Sequence, residues 1–328
     1  MKCISSNQNI TPEALALAVA CLWLVFISCL HFFLISGKAG KDRIRIGFLP
    51  ITCHLLLPVA MERNSWFRER VEPVKFSSWP DMIESIKGGE LDAAFILAPI
   101  ALSLIDQDVP VSIVLLGHRN GTGLVVSKKE PIRDGKDLNG KTIAIPIRFS
   151  TQNLALKEFL SRSHVALKNV SLVELPPPDM PSALASQAID AYIVGEPYAA
   201  QAEMAGAGII LRHIQEIWPD FISSLMIVGN NLLADRTRLI DRIIQVLYSQ
   251  GNWIESNRAE AARIGASFFG LPSDLLLRVL TDTYVRVSYR DLIPRQQEMA
   301  EIGSLMRKYG LCDHVPACRI YVKWQQDT

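Results

Sequence analysis

The chain has 328 residues, 49% hydrophobic and 20% charged, and 34 basic side chains against 33 acidic ones leave a net charge of +1. That length holds one to three domains with a sizeable core. The even charge balance leaves no basic surplus to neutralise a phosphate backbone, which argues against a nucleic-acid-binding protein.

The first element is the apolar run Ala14–Ile35, broken only by Cys21, Ser28, Cys29 and His31. As a helix it would span ~33 Å, enough to cross the hydrocarbon layer. A secretory apolar region is usually ~7–15 residues, so the run reads as a non-cleaved signal-anchor, with residues 1–42 forming anchor and linker. Ile35-Ser36-Gly37 is a poor cleavage site, and Phe26-Ile27-Ser28-Cys29 only faintly matches a lipoprotein box. The flanking charges, Lys2 before the run and Lys38, Lys41, Arg43 and Arg45 after it, pull toward a cytoplasmic globular part under the positive-inside rule.

Strand-like and helix-like pieces then alternate. Ile44–Phe48 reads as a strand, Thr52–Arg63 as a helix, Pro73–Ser77 as a strand, and Pro80–Lys87 as a helix closed by Gly88-Gly89. Ala93–Leu97, Val109–Gly117, Gly123–Ser127, Lys141–Ile147, Val170–Leu175 and Ala191–Val194 read as further strands. From Asp235 onward the chain is mostly helical, and Leu239, Ile240, Ile243, Ile244, Val246 and Leu247 share one stripe. Such alternation predicts an α/β protein with largely parallel sheets.

An internal repeat organises these pieces. Pro80–Ala101 set above Pro178–Ala199 gives identity at Pro80/Pro178, Asp81/Asp179, Met82/Met180, Asp92/Asp190, Ala93/Ala191, Pro99/Pro197 and Ala101/Ala199. Each copy is a short helix, an Asp, an apolar strand and a Pro at the strand's end. Upstream, Ile44-Arg45-Ile46 with Thr52 matches Ile143-Ala144-Ile145 with Thr151. Two copies are too few for a solenoid; two similar lobes facing one another are the natural arrangement. Ligands of open α/β sheets sit beyond the C-terminal strand ends, and both Pro loops lie there. Asp92 and Asp190 are expected at equivalent places in the two lobes.

Gly135-Lys-Asp-Leu-Asn-Gly-Lys141-Thr142 fits the nucleotide-loop pattern GxxxxGK[ST] by letter. A strand follows it instead of the helix that must point N–H groups at a phosphate, so it is not read as such a loop. Neither a Gly-x-Ser-x-Gly elbow nor a His-Glu-x-x-His pair occurs, and no catalytic residue, metal or cofactor is expected. Cys312 and Cys318 are separated by five residues that include Pro316. In an oxidising compartment they are expected to pair as a disulfide; two free thiols are the plainer alternative, and zinc with His314 would lack a fourth ligand.

Ile46-Gly-Phe-Leu-Pro50, Ser78-Trp79-Pro80, Gly89-Glu-Leu-Asp-Ala-Ala94, Asp137-Leu-Asn-Gly-Lys-Thr142 and Val194-Gly-Glu-Pro197 together resemble the nitrate/sulfonate/bicarbonate solute-binding proteins of ABC importers, relatives of the thiamine-pyrimidine-precursor binding proteins. The resemblance runs from about Arg43 to Leu311. It implies a two-lobed periplasmic-binding-protein-like fold (type II), with lobe one at 43–117 plus 226–328 and lobe two at 118–225. It further implies capture of a small organic or oxyanionic solute by hinge closure, partnership with permease and ATPase subunits, and a place on the extracytoplasmic face of the membrane, secreted or held through the N-terminal helix. A sensory solute-binding module, or a pyrimidine-precursor synthase-like enzyme on the same fold, are the alternatives; the first needs an output domain or partner, and the second a Cys-rich metal motif.

The resemblance assigns anion contact to a Trp matching Trp79 and to the polar stretch His118-Arg119-Asn120. Where it implies a Thr-His pair this chain has Thr151-Gln152, and where it implies a Lys the chain reads Pro219-Asp-Phe-Ile-Ser-Ser224. Both changes remove polarising groups and point to a larger, less charge-dense solute than nitrate. Thr52-Cys53-His54 and Thr151-Gln152 each open a helix after a strand, where free N–H groups attract an anion or carbonyl oxygen; ordinary N-capping by Thr is the plainer alternative. Glu196 is placed to bind a solute N–H or to pair with a lobe-one base as a latch. Arg148 is the best cation for a carboxylate or sulfonate, through its two-pronged guanidinium.

Overall fold

The computed structural model describes residues 19, 21–28, 30, 43–282, 284 and 286–325. Most of the expected membrane run Ala14–Ile35 lies outside them. Its described residues, 19, 21–28 and 30, are helical and exposed, and among the described residues no helix is long and apolar enough to cross a membrane.

Residues 44–328 are built on two five-stranded sheets. In chain order the first sheet receives β1 (Ile44–Phe48), β2 (Val71–Lys75), β3 (Ala93–Leu97) and β4 (Val111–Leu116). The chain then crosses through β5 (Arg119–Asn120) and supplies the second sheet with β6 (Thr122–Ser127), β7 (Thr142–Ile145), β8 (Ser171–Glu174), β9 (Ala191–Gly195) and β10 (Gly208–His213). It returns as β11 (Ser224–Gly229) to the first sheet, whose order is β2-β1-β3-β11-β4; the second runs β8-β7-β9-β6-β10. The two orders match strand for strand, with the crossing strands β11 and β6 in equivalent places. Both run antiparallel to their neighbours. The expectation of largely parallel sheets is therefore corrected: half of the pairings in each sheet are antiparallel, because each sheet takes in one strand that arrives from the other lobe.

Repetition of sequence is repeated in hydrogen bonding. The carboxylate of Asp92 accepts the Arg45 N–H at 2.8 Å, and that of Asp190 accepts the Thr142 N–H at 2.7 Å. In return Asp92 N–H donates to the Arg45 carbonyl and Asp190 N–H to the Thr142 carbonyl. Each Asp thus closes the start of its β3-type strand onto the neighbouring strand. Asp92→Ala and Asp190→Ala should each cost about 1–3 kcal/mol by leaving a backbone N–H short of its partner. Thermal melting should show the two losses to be of similar size; a silent change at either position would break the equivalence.

In the second sheet Ile143, Ile145, Leu124, Val126 and Ile193 face one cluster, while Ala144, Val125, Tyr192 and Val194 face the other, the period-2 pattern of strands covered on both sides. The expected helix over Thr52–Arg63 is split into a 3-10 turn, Thr52–His54, and a helix, Leu56–Arg63. After β11, helices Thr237–Ser256, Arg258–Phe269, Ser273–Thr281 and Gln296–Lys308 follow. Ile240, Ile243, Ile244 and Leu247 of the first are fully buried, with Leu239 and Val246 packed beside them.

Cys312 and Cys318 are free thiols in the structure, so the expected disulfide is not formed. The chain around them makes contacts of its own. His314 reaches Asp106, Val315 and Pro316 press on Gly303, and the Arg319 carbonyl accepts from Ile113 N–H. Gly135–Leu138 forms a 3-10 turn capped by Asp134, and β7 follows at Thr142 with Lys141 on Glu130 at 2.6 Å. That geometry turns no helix start toward a phosphate.

Candidate functional site

The strand ends of the two sheets meet around Thr52. Gly117 makes the approach possible: a Cβ there would stand 2.2 Å from the Cys53 carbonyl oxygen, so any larger residue would collide with backbone. Asn120 and Gly121 both take left-handed φ, 64° and 66°, to turn the crossing chain, and β12 (Val287–Ser288) pairs with β5 beside them.

From the first lobe come Thr52, His54 and Trp79, all buried. Neither sequence-predicted Thr acts as an N-cap. The Thr52 N–H and hydroxyl both donate to the carbonyl oxygen of Glu196 in the second lobe, at 3.1 and 2.9 Å. His118 Nε2 lies 3.3 Å from the Thr52 hydroxyl oxygen, and Tyr289 donates its hydroxyl to the Thr52 carbonyl at 2.7 Å. Leu49 N–H points at His54 Nδ1 at 2.8 Å, and the same ring nitrogen lies 3.0 Å from the Leu49 carbonyl oxygen. The first contact suits the tautomer with its hydrogen on Nε2, the second the tautomer with its hydrogen on Nδ1. Burial pulls His54 down to about 3 and His118 likewise, so both rings are neutral near pH 7. His54 Nε2 and the Trp79 Nε1–H donor are buried without a hydrogen-bond partner, on rings 6.0 Å apart in an edge-on arrangement.

From the second lobe comes the start of helix Thr151–Arg162. Ser150 caps it by accepting the Asn153 N–H, which leaves Thr151 and Gln152 for other work. Thr151 donates to the Ser223 carbonyl at 3.3 Å, and the Gln152 amide donates to the Ser223 hydroxyl at 2.8 Å. The side-chain oxygens of Gln152 and Asn153 are buried and unmatched, as are His118 Nδ1, Asn120 Oδ1 and the Ser224 hydroxyl.

Glu196 is fully buried. Its carboxylate accepts from Ala200 N–H at 2.9 Å and from Arg286 at 3.1 Å. Arg148 stands apart from this cluster, contrary to the sequence expectation. Its N–H is tied to Glu174 and its carbonyl to Asn153, so the side chain runs outward to the Gly310 carbonyl and is exposed. Ser223, Tyr289, Thr122 and Arg286 are cleft residues that the sequence pattern did not mark, since none sits in a repeated or punctuated motif.

The arrangement offers buried neutral polar atoms, including the Trp79 Nε1–H donor and the Gln152 and Asn153 amide oxygens, without hydrogen-bond partners. Cys53 is no ready nucleophile: burial pushes its thiol up to about 12, and the neighbouring His54 has Nδ1 engaged by Leu49. Among the described residues no group of three or more His, Cys, Asp or Glu is placed to hold a metal.

Comparison with known proteins places this geometry. A nitrate import ATP-binding protein of Synechocystis is 30% identical over 205 residues, 56% of this chain and 31% of that protein. A nitrate/nitrite binding protein of Nostoc is 23% identical over 255 residues, 70% of this chain and 58% of that protein. The chain thus spans about a third and under two thirds of these relatives. The ligand-binding component of an ABC-type import system from Staphylococcus aureus, solved with zinc bound, shares the fold with a TM-score of 0.79 at 24% identity, over 88% of this chain and 99% of that one. A desulfurization enzyme shares it at TM-score 0.65 and 14% identity, over 88% of this chain and 98% of that one. The family described as NMT1-like matches residues 37–268. Over more than two thirds of its length, and with a mixed α/β fold shared with solute-binding proteins, the chain belongs to the NMT1-like family.

Proposed function

We propose that this chain is the substrate-binding component of an ABC importer, capturing a small organic or oxyanionic solute between its lobes by hinge closure. The observation that carries the reading is the set of buried polar atoms without a hydrogen-bond partner, among them the Trp79 Nε1–H donor, His54 Nε2 and the side-chain oxygen of Gln152. A buried donor without an acceptor costs about 1–3 kcal/mol, and a solute oxygen would relieve it. Neutral donors favour an anion whose charge is spread over several oxygens, or an organic molecule with one anionic or carbonyl end, over a compact charge-dense ion. Permease and ATPase subunits are the partners this role requires, and the apolar run after Ala14 is the natural attachment to the outer face of the membrane. The proposal is of binding without catalysis.

A thermal-shift screen against nitrate, alkylsulfonates, carboxylates, pyrimidines and flavins tests the reading. A true solute at a hundred times its Kd should add about 2.7 kcal/mol of stability. With that solute, Gln152→Ala should weaken binding by about 0.5–1.5 kcal/mol in calorimetry. A screen with no stabilising compound, or a Gln152→Ala protein that binds as well as the parent, counts against capture at this site.

A further inference from the structure

We propose that Arg286 is a positioning residue that holds the second lobe's Glu196 loop against the first lobe's Thr52. The proposal rests on the solute-binding reading only in calling the gap between them a solute cleft. Arg286 comes from the segment between helices Ser273–Thr281 and Gln296–Lys308, next to the β5–β12 pairing at the crossing. Its side chain is almost fully buried, at 4% exposure. Each face of the guanidinium fork has its own carboxylate. Nε meets Asp282 at 3.0 Å, one terminal nitrogen meets Glu196 at 3.1 Å, and the other meets Glu203 at 2.8 Å. Asp282 belongs to Arg286's own segment, while Glu196 and Glu203 belong to the second lobe, on the loop after β9 and on helix Tyr198–Met204.

Glu196 is the pivot of this arrangement because it uses both of its ends. The carboxylate is held by Arg286 and the Ala200 N–H, and the carbonyl of the same residue receives the N–H and hydroxyl of Thr52 across the cleft. Tyr284, from the same segment as Arg286, stacks on His213 of β10 at 4.2 Å and widens the grip on the second lobe. One guanidinium faces three carboxylates here, so its removal would leave like charges close together with little solvent to screen them. A Lys ammonium keeps the charge but cannot send three separate N–H groups along the directions that the planar fork reaches.

Hydrogen exchange of the Thr52 amide reads this contact directly and needs no solute, so a failed solute screen leaves the result interpretable. In the full chain, Arg286→Gln should speed exchange at Thr52 by roughly tenfold or more as the closed population falls, while amides of β3 keep their protection. Arg286→Lys should fall between. Thr52 exchange at the parental rate in Arg286→Gln, or equal acceleration at Thr52 and β3, would overturn the proposal, the latter because it reports global loosening. Should Arg286→Gln fail to fold, Glu203→Gln at the partly exposed arm serves instead: faster Thr52 exchange with protected β3 supports the role, and parental exchange sinks it.

Discussion

Trp79→Ala should lower stability by about 3–5 kcal/mol, the usual cost of deleting a large buried ring. Trp79 is only 2% exposed and belongs to the first lobe's core, at the start of helix Trp79–Lys87, where Ser78 provides the cap. The large loss would obscure any effect on binding, so the informative partner is Trp79→Phe. Phenylalanine keeps most of the apolar packing and removes only the Nε1–H donor that lacks an acceptor. It should leave the melting temperature near the parental value and weaken binding of an anionic solute by about 1.5–3 kcal/mol, the worth of a hydrogen bond to a charged group. A Trp79→Phe protein that melts and binds like the parent would show that the indole N–H does not face the solute.

Acid should destabilise the protein well before carboxylates titrate. His54 and His118 are both held at about 3, by burial first, against an ordinary value of 6.5. Above pH 6.5 each ring is neutral whether the chain is folded or not, and neither contributes. Below it the unfolded chain takes up protons that the folded one refuses, so stability falls as pH falls, and continues to fall toward pH 3. Each ring then removes ~1.4 kcal/mol per pH unit, which makes about 4 kcal/mol for the pair at pH 5. Glu196, whose carboxyl is raised by burial against the opposing pull of Arg286, acts in the other direction because the folded state protonates it first. Melting temperatures from pH 7 to pH 5 measure the net result. His118→Gln and His54→Asn, which retain a polar atom near Nε2 and Nδ1 respectively, should each flatten the curve; an unchanged slope in both would show that the rings do not stay neutral in the fold.

The two expectations join at one place. The burial that keeps His54 neutral also leaves its Nε2, with the Trp79 indole N–H, without a hydrogen-bond partner. Glu196 closes the same space from the opposite lobe, and Arg286 holds Glu196. Recognition and closure are therefore linked through a short chain of contacts, Arg286 to Glu196 to Thr52, rather than through a charged group lying in the cleft itself.

Sequence alone determined the strand–helix alternation, the duplication, and the matching roles of Asp92 and Asp190. These follow from short-range physics: apolar periodicity selects which face of an element is buried, and a repeated Asp-strand-Pro pattern repeats the local hydrogen bonds. Thr52 and Glu196 drew notice at the ends of repeated elements, while Trp79 and Gln152 were named through the family resemblance. Only the tertiary structure decided how β6 and β11 enter the opposite sheets antiparallel, and that Arg148 turns outward while Arg286, 90 residues along the chain from Glu196, turns in. It also left Cys312 and Cys318 as free thiols. Such outcomes depend on which distant backbone and side-chain groups compete for the same partner once the chain has closed. Spacing along the sequence carries no record of that competition, because buried polar groups are matched in space.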